Sequence, residues 1–359
     1  MRYKANRLLL AVLLLIAMSL LCTACVELGS SDGSGTSPGL SQNALEGLAV
    51  HFIDVGQADA MLLVCDGQAM LVDGGNVDDS STIVTYLKKQ GIDYLDYVVC
   101  THAHEDHVGG LSGALNYAQA GQVFSPVTYY DTAAFGNFVK YVEKQGLSLC
   151  VPECGMEFML GEAKVQVVGP VYEYEETNDT SICLRVSYGD ISFLLTGDAE
   201  STAESDMIDA GYDLSANVMK AGHHGSNTSN SYVFLREVMP EYVVISVGED
   251  NSYGHPHEEP LSRFRDVGAT VYRTDMQGDI VCTTDGVNIH FFTAANADAV
   301  TNPTSEQSQY DGVCIGNVNS QKFHRESCDN LPAEQNRKYF DSRTEALSAG
   351  YEPCGNCQP

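Results

Sequence analysis

Apolar positions along residues 47–293 fall into short blocks separated by glycine and acidic turns, the pattern of a fold that alternates strands and helices. Residues 50–53 predict a strand. Blocks 60–65 and 68–72 flank Asp66-Gly67, a strong hairpin signal. Asp79 can cap a helix that runs to Gln90 and stops at Gly91. Residues 97–100 form a short apolar strand leading into His102, and 132–145 predict a second helix ended by Gly146. Blocks 182–187 and 191–195 pair around Gly189-Asp190. Then come a strand at 243–247, a helix at 258–266, and a hairpin of 280–284 with 287–292 around Asp285-Gly286. Hairpins early and late with helices between them predict two mixed sheets faced by helices.

The ends of the chain read differently. Arg2, Lys4 and Arg7 precede an apolar run over 8–21. At ~1.5 Å per residue that run falls short of the ~30 Å hydrocarbon core of a bilayer. It predicts a signal peptide over 1–24. Small residues just before Cys25 resemble a bacterial lipoprotein signal, with Cys25 as the lipidated mature N-terminus. Two acyl chains there would anchor the protein to the membrane; plain cleavage and secretion is the alternative. The expected location is the extracellular face of the cell membrane, or the medium. Residues 25–46, rich in Ser and Gly without a basic residue, predict a flexible tether. The polar stretch 294–310 predicts a linker to a tail at 311–359.

With 359 residues, 44% of them hydrophobic, the chain can bury one large core or two domains, which excludes a disordered, collagenous or coiled-coil protein. Its 48 Asp and Glu against 19 Lys and Arg give −29, and −32 once residues 1–24 are removed. Such a surface repels polyanions at long range and argues against charge-driven nucleic-acid binding. A bound divalent ion could still act on a phosphate.

Seven of the ten histidines sit in three polar segments. In Thr101-His102-Ala103-His104-Glu105-Asp106-His107, an extended backbone points His102 and His104 the same way. Asp106 and His107 follow where the chain turns into a helix, so they can address a second position nearby. Three imidazoles and a carboxylate this close suit divalent metals. The other segments are Gly222-His223-His224-Gly225-Ser226 and Tyr253-Gly254-His255-Pro256-His257, and Thr196-Gly197-Asp198 stands at a strand end, where α/β proteins gather site residues.

Taken together, Leu71-Val72-Asp73-Gly74-Gly75, the His102–His107 motif, Gly197-Asp198 and His223 resemble the metallo-β-lactamase fold superfamily. More closely, His51-Phe52-Ile53-Asp54-Val55-Gly56-Gln57-Ala58-Asp59-Ala60, the 178–181 segment, Phe193 to Asp198, His223 to Ser226 and Tyr253 to Pro256 resemble the hydrolase domain of ComEC-type DNA-uptake channel proteins. The channel segments have no counterpart here. The resemblance implies an α/β protein, an αββα four-layer sandwich over 47–293. It implies that His102 and His104 hold one metal, that Asp106, His107 and His223 hold a second, that Asp198 bridges them and that Asp73 orients a ligand histidine. His224 is the close alternative to His223. Many members carry a further histidine before the bridging Asp; Asp179 is the candidate replacement. Zinc and manganese both fit, as one ion or two.

Ions held there would supply Lewis acidity and an activated water for attack on a phosphodiester. His255 or His224, beside the ligand Asp106, would complete the catalytic set by protonating the leaving oxygen. Lys220, Asn251 and Ser226 would bind substrate. The expected function is an extracellular metal-dependent phosphodiesterase or nuclease acting on DNA. One alternative is a metallo-hydrolase of a small ester, lactone or cell-wall phosphodiester, which the acidic surface favours. The other is a non-catalytic DNA-binding lipoprotein. No protein partner follows from the sequence.

In the tail, His324-x3-Cys328 and Cys354-x2-Cys357 give four ligands at the spacing of a structural zinc, which would supply folding energy to a segment of ~50 residues. Residues 317–359 resemble the metal-binding domain of the Ada DNA-repair family, in which all four ligands are cysteines. His324 replaces one of them, which argues against methyl transfer. The reading is a small DNA-contacting or purely structural module with Phe323, Tyr339 and Phe340 as its core.

Overall fold

The computed structural model describes residues 47–303, 312–357 and 359. The expected signal peptide, the lipidation site Cys25, the tether and the end of the linker lie outside them. No helix among the described residues is long and apolar enough to cross a membrane.

Two sheets stack face to face. The first runs Ile289–Thr293, Ile280–Thr284, Leu48–Phe52, Met61–Cys65, Gln68–Val72, Tyr94–Val99, Gln119–Phe124 and Leu149–Cys150 from edge to edge. The second runs Thr270–Arg273, Tyr242–Ile245, Val218–Lys220, Ile191–Leu195, Cys183–Tyr188, Ala163–Gly169 and Glu157–Leu160. Successive side chains on a strand point to opposite faces. Leu63 therefore joins Val50, Val72 and Phe124 between the sheets, opposite Val165, Phe193, Leu195 and Val218. Its neighbour Leu62 faces outward with Leu71 and Val98, under Ile83, Leu87, Leu115, Phe135 and Phe138. On the far side Leu194, Met219 and Val243 lie under Met207, Phe234, Leu235 and Phe264. Helix, sheet, sheet, helix is the expected four-layer order.

The helices are built to cover those faces. Ser80–Gln90 buries Ile83, Tyr86 and Leu87, one stripe at three- and four-residue spacing, and ends at Gly91 with φ 71°. Ala133–Lys144 is capped by Thr132, whose hydroxyl accepts from the Phe135 N–H, and buries Phe135, Phe138 and Val142.

Parallel pairing places the site. Gln68–Val72, Tyr94–Val99 and Gln119–Phe124 run parallel in the first sheet. Ile191–Leu195, Val218–Lys220, Tyr242–Ile245 and Thr270–Arg273 do so in the second. Their C-terminal ends open on one edge, and the loops leaving them carry Asp73, His102, Asp198, His224 and His255.

Residues 294–303 do not begin a linker as expected. They pack along the body: Ala294 and Ala295 N–H donate to the Asp279 and Gln277 carbonyls, and the buried Thr301 hydroxyl donates to Val271 O. Cys150 and Cys154 are both free thiols. The tail folds as a four-stranded sheet with the helix Arg343–Ser348 over a small core of Cys314, Phe323, Phe340, Ala346 and Tyr351. Tyr339, expected in that core, is exposed, and Tyr351 fills its place.

Candidate metal centre

The first motif leaves its strand extended, then turns into the short helix Glu105–Val108. This turn sends His107 inward, fully buried, beneath Asp106. Asp198 arrives from the opposite sheet. Gly197 before it has φ 52°, and a Cβ there would stand 3.0 Å from Ser181 Oγ and Thr101 Cβ, so the tight approach of the two loops requires glycine. The Ser181 hydroxyl accepts the Asp198 N–H at 3.0 Å.

The last ligand depends on unusual backbone. His223 and His224 are consecutive left-handed residues with φ 49° and 52°. Each such non-glycine residue costs on the order of 1–3 kcal/mol and persists only where its surroundings fix it. Asn230 does so by accepting the Gly222 N–H and donating to Gly222 O, and the buried Glu204 carboxylate in turn accepts the Asn230 and Ser231 N–H groups. This conformation splits the two rings. His224 is buried. His223 turns to the rim, 3.2 Å from Glu200 Oε1.

Asp106, His107, Asp198 and His224 thus close a cage whose donor atoms all lie within 4.8 Å of one another. His107 Nε2 is 3.3 Å from Asp198 Oδ2 and 3.8 Å from Asp106 Oδ2; His224 Nε2 is 3.5 Å and 3.4 Å from the same two atoms. Ligands on a tetrahedral ion with bonds of ~2.1 Å stand ~3.4 Å apart, so the spacing fits a divalent metal. Both Nε2 atoms are buried without a hydrogen-bond partner. Each ring's other nitrogen is engaged, His107 Nδ1 with Asp73 Oδ2 at 2.9 Å and His224 Nδ1 with Ser246 O at 2.9 Å. A carbonyl can only accept, so His224 carries a proton on Nδ1, and Nε2 is the nitrogen that faces the cage. Asp73, which holds the His107 ring, is itself fixed by the Thr101 N–H and hydroxyl at 2.8 and 2.7 Å.

Electrostatics agree with the geometry. Burial alone would discharge His107, yet the Asp198, Asp73 and Asp106 carboxylates override it and lift its pKa well above the usual imidazole range. His224 is raised against burial by Asp198 and Asp59. Burial works against the Asp198 charge as well, but His224 and His107 hold that carboxyl well below its ordinary value. A site that retains protons this strongly is one from which a metal displaces them.

Several sequence-based assignments change. The structure places His224, buried, in the cage, while His223 stands at the rim with its Nε2 3.8 Å from Asp198 Oδ2. His102 Nε2 and His104 Nδ1 face each other at 3.1 Å as a two-imidazole pair, with burial keeping His102 uncharged. Asp179 does not complete that pair: its carboxylate accepts the Glu200 N–H at 2.9 Å, and it joins no ligand group among the described residues. Asp198 gives Oδ2 to the cage, while Oδ1 looks toward Lys220 Nζ at 3.8 Å. Lys220 itself is sealed from solvent and ion-paired with Asp59, so it cannot reach a substrate. Asn251 is committed to its own loop through Gly248 O, His255 O and the His255 N–H. Ser226 pairs with Thr228. Of the expected proton donors, His224 is a cage residue and His255 stands on the rim, its ring 5.4 Å from His223 and 4.8 Å from His257. Burial and these neighbouring imidazoles push His255 down to about 4.

Asp59 carried no assigned role in the sequence. It is fully buried below the cage, 3.5 Å from His224 Nδ1 and 3.8 Å from His107 Nδ1. Its position inside the segment from His51 to Ala60 was the available signal.

In the tail, His324, Cys328, Cys354 and Cys357 gather as expected, all donor atoms within 4.8 Å and His324 Nδ1 3.3 Å from Cys328 Sγ. Burial raises the Cys354 thiol, but backbone N–H groups of Cys357 and Asn356 bring it below its usual value. Burial pushes Cys357 up to about 12, with the Cys354 and Cys328 charges adding to the effect. A bound cation would offset that repulsion and let the three sulfurs ionise together.

The family described as the metallo-beta-lactamase superfamily matches residues 53–249, and the metal binding domain of Ada matches 298–359. ComE operon protein 3 of Bacillus subtilis is 26% identical over 250 residues, covering 64% of this chain and 32% of that protein. Competence protein ComA of Neisseria gonorrhoeae is 32% identical over 232 residues, covering 64% and 31%. Recombination protein 2 of Haemophilus influenzae is 29% identical over 238 residues. The chain spans about a third of the length of these curated relatives. Among solved structures, the metallo-beta-lactamase fold protein YhfI of Bacillus subtilis aligns with 67% of this chain and 100% of its own at a TM-score of 0.47 and 14% identity.

Proposed function

The chain belongs to the metallo-beta-lactamase superfamily and is a metallo-hydrolase of that fold, and from this premise we propose that it is a phosphodiesterase that cleaves DNA outside the cell membrane. The observation that carries the hydrolytic part is the cage: two buried Nε2 atoms without hydrogen-bond partners and two carboxylates converge on one point. A divalent ion held by Asp106, His107, Asp198 and His224 would supply Lewis acidity and a reactive water.

The protein's own groups prepare that step. Asp73 and Ser246 O hold the two imidazoles in the ligand tautomer. His102 and His104 present ring nitrogens beside the cage. His255 is uncharged at neutral pH. An anionic phosphodiester at the rim raises its pKa, so the ring can then carry a proton to the leaving oxygen. DNA as substrate is supported by the competence and recombination names of the relatives and by the Ada-like tail. Zinc suits the Cys3His set of the tail, while zinc and manganese both suit the body. A lipid on Cys25 would hold the enzyme at the membrane.

The test is supercoiled plasmid with the full chain and Zn2+ or Mn2+, beside a chromogenic phosphodiester and a lactone. Nicking that vanishes in Asp198→Asn supports the proposal. Turnover of the lactone alone supports the second reading, a hydrolase of small esters, which the net charge of −29 favours. No turnover of any of them, with the metal content intact, overturns both.

A further inference from the structure

The cysteine-rich tail sits against the two helices that hold the late site loops. Arg343, at the start of the tail helix, forms a two-pronged pair with Asp266, with Nη2 2.8 Å from Oδ2, and donates to Ser262 Oγ at 3.2 Å. Tyr232 OH donates to the same Asp266 carboxylate. Arg236 reaches the other end of the tail helix and donates to Leu347 O at 3.3 Å and Gly350 O at 3.4 Å. Gly355, between the two cysteines of the metal knuckle, lies against Glu259: a Cβ there would stand 3.4 Å from its carboxylate.

Those contacts lead to the centre by short steps. Asp266, Ser262 and Glu259 belong to the helix Glu258–Asp266, whose N-terminal flank is His257, two residues beyond His255. From that helix Arg263 donates to Ser229 O at 3.0 Å and Asn230 O at 3.1 Å. Asn230 is the residue that clamps Gly222 and so holds His224 in its left-handed turn. Tyr232 and Arg236 lie on the helix Tyr232–Val238, which starts immediately after that clamp.

We propose that the Cys3His module is a built-in brace for the hydrolase centre, with Arg343 and Asp266 as positioning residues that fix the His224 and His255 loops. The module's core is five side chains, too few to hold it without its metal. Metal in the tail therefore stabilises Arg343 and the knuckle, and through them the two helices. The left-handed pair His223-His224 needs such support from outside its own loop. This inference stands apart from the choice of substrate.

Amide hydrogen exchange of the full metal-loaded chain tests it. In Cys354→Ser/Cys357→Ser, exchange over 222–231 and 255–266 should rise about tenfold, while the inter-sheet strand Ile191–Leu195 stays as protected as in the wild type. Asp266→Asn, which leaves every tail ligand in place, should raise exchange in the same segments with the tail metal retained. Rescue by Arg343→Lys relative to Arg343→Ala should be partial. Unchanged exchange over 222–231 and 255–266 in both the cysteine variant and Asp266→Asn overturns the brace and leaves the hydrolase reading untouched.

Discussion

Lys220 Nζ lies 2.5 Å from Asp59 Oδ2, and neither side chain has any exposure to solvent. The pair spans the two sheets directly below the metal cage. Asp59 also faces His107 Nδ1 and His224 Nδ1, so one carboxylate sits under both cage imidazoles.

Breaking this pair from one side should be costly. Lys220→Met leaves a buried, uncompensated carboxylate, which destabilises proteins by about 3–5 kcal/mol. Asp59→Asn/Lys220→Met removes both charges and should recover at least half of that loss. Urea unfolding of the two single variants and the double variant measures the coupling. A double variant no more stable than Lys220→Met would show that the ammonium does not serve to neutralise Asp59.

The cage geometry separates two adjacent histidines. His224→Ala removes a buried donor, and the body should lose its ion. His223→Ala removes a rim side chain, and the ion should stay. Asp73→Ala frees the His107 ring and should weaken metal binding by about 10–100-fold, the usual cost of losing a carboxylate behind a ligand imidazole. Metal content after dialysis, measured with the tail ion as internal reference, distinguishes all three.

The order of these ligands was legible in the chain because a short motif after a strand fixes its own geometry. His102, His104, Asp106 and His107 could be placed near one another from their short motif and Asp198 at a strand end, while bringing Asp198 to them was what the resemblance implied. His224 could not be chosen over His223, since the choice rests on two left-handed residues held by Asn230 and Glu204 from outside the loop. Lys220 read as a substrate ligand because a lysine beside a site is ordinarily exposed; only the facing sheet, with Asp59, shows why it is buried. Asn251 read as a phosphate ligand for the same reason, that hydrogen bonds within a loop are invisible until the loop closes. The two stacked sheets followed from the hairpin signals. The strand Ala163–Gly169, with its alternating polar residues Lys164 and Gln166, carried a usable period of two that the motif-centred reading passed over.

His51 gives the fold an acid-side weakness. It is buried on the first strand with Nδ1 2.9 Å from the Tyr86 hydroxyl, and burial, with the Lys89 charge second, lowers its pKa from 6.5 to about 4. The unfolded chain binds this proton below pH 6.5, whereas the folded chain resists it until about pH 4. Stability from this group is therefore complete above pH 6.5 and declines as the pH falls toward 4, by about 3 kcal/mol at ~1.4 kcal/mol per pH unit. His51→Gln should be less stable at pH 7.5 but should show a flatter fall between pH 6.5 and 4. Parallel curves for the two proteins would show that His51 does not titrate in this window.

The tail makes the last prediction. The fourth member of its cluster is a histidine where the resemblance to the Ada family implies cysteine, and His324 is buried with Nδ1 against Cys328 Sγ. A tetrahedral ion accepts sulfur or nitrogen at that vertex, sulfur about 0.2–0.3 Å farther out. His324→Cys should thus keep one ion in the tail. With cobalt in place of the native ion, the thiolate-to-metal absorption should rise by about a third, as three thiolates become four. His324→Ala leaves three ligands and an open vertex, and the tail should bind its ion more weakly. If His324→Cys bound no ion while His324→Ala did, the imidazole would not be a ligand, and the tail would hold its metal through the three cysteines and water.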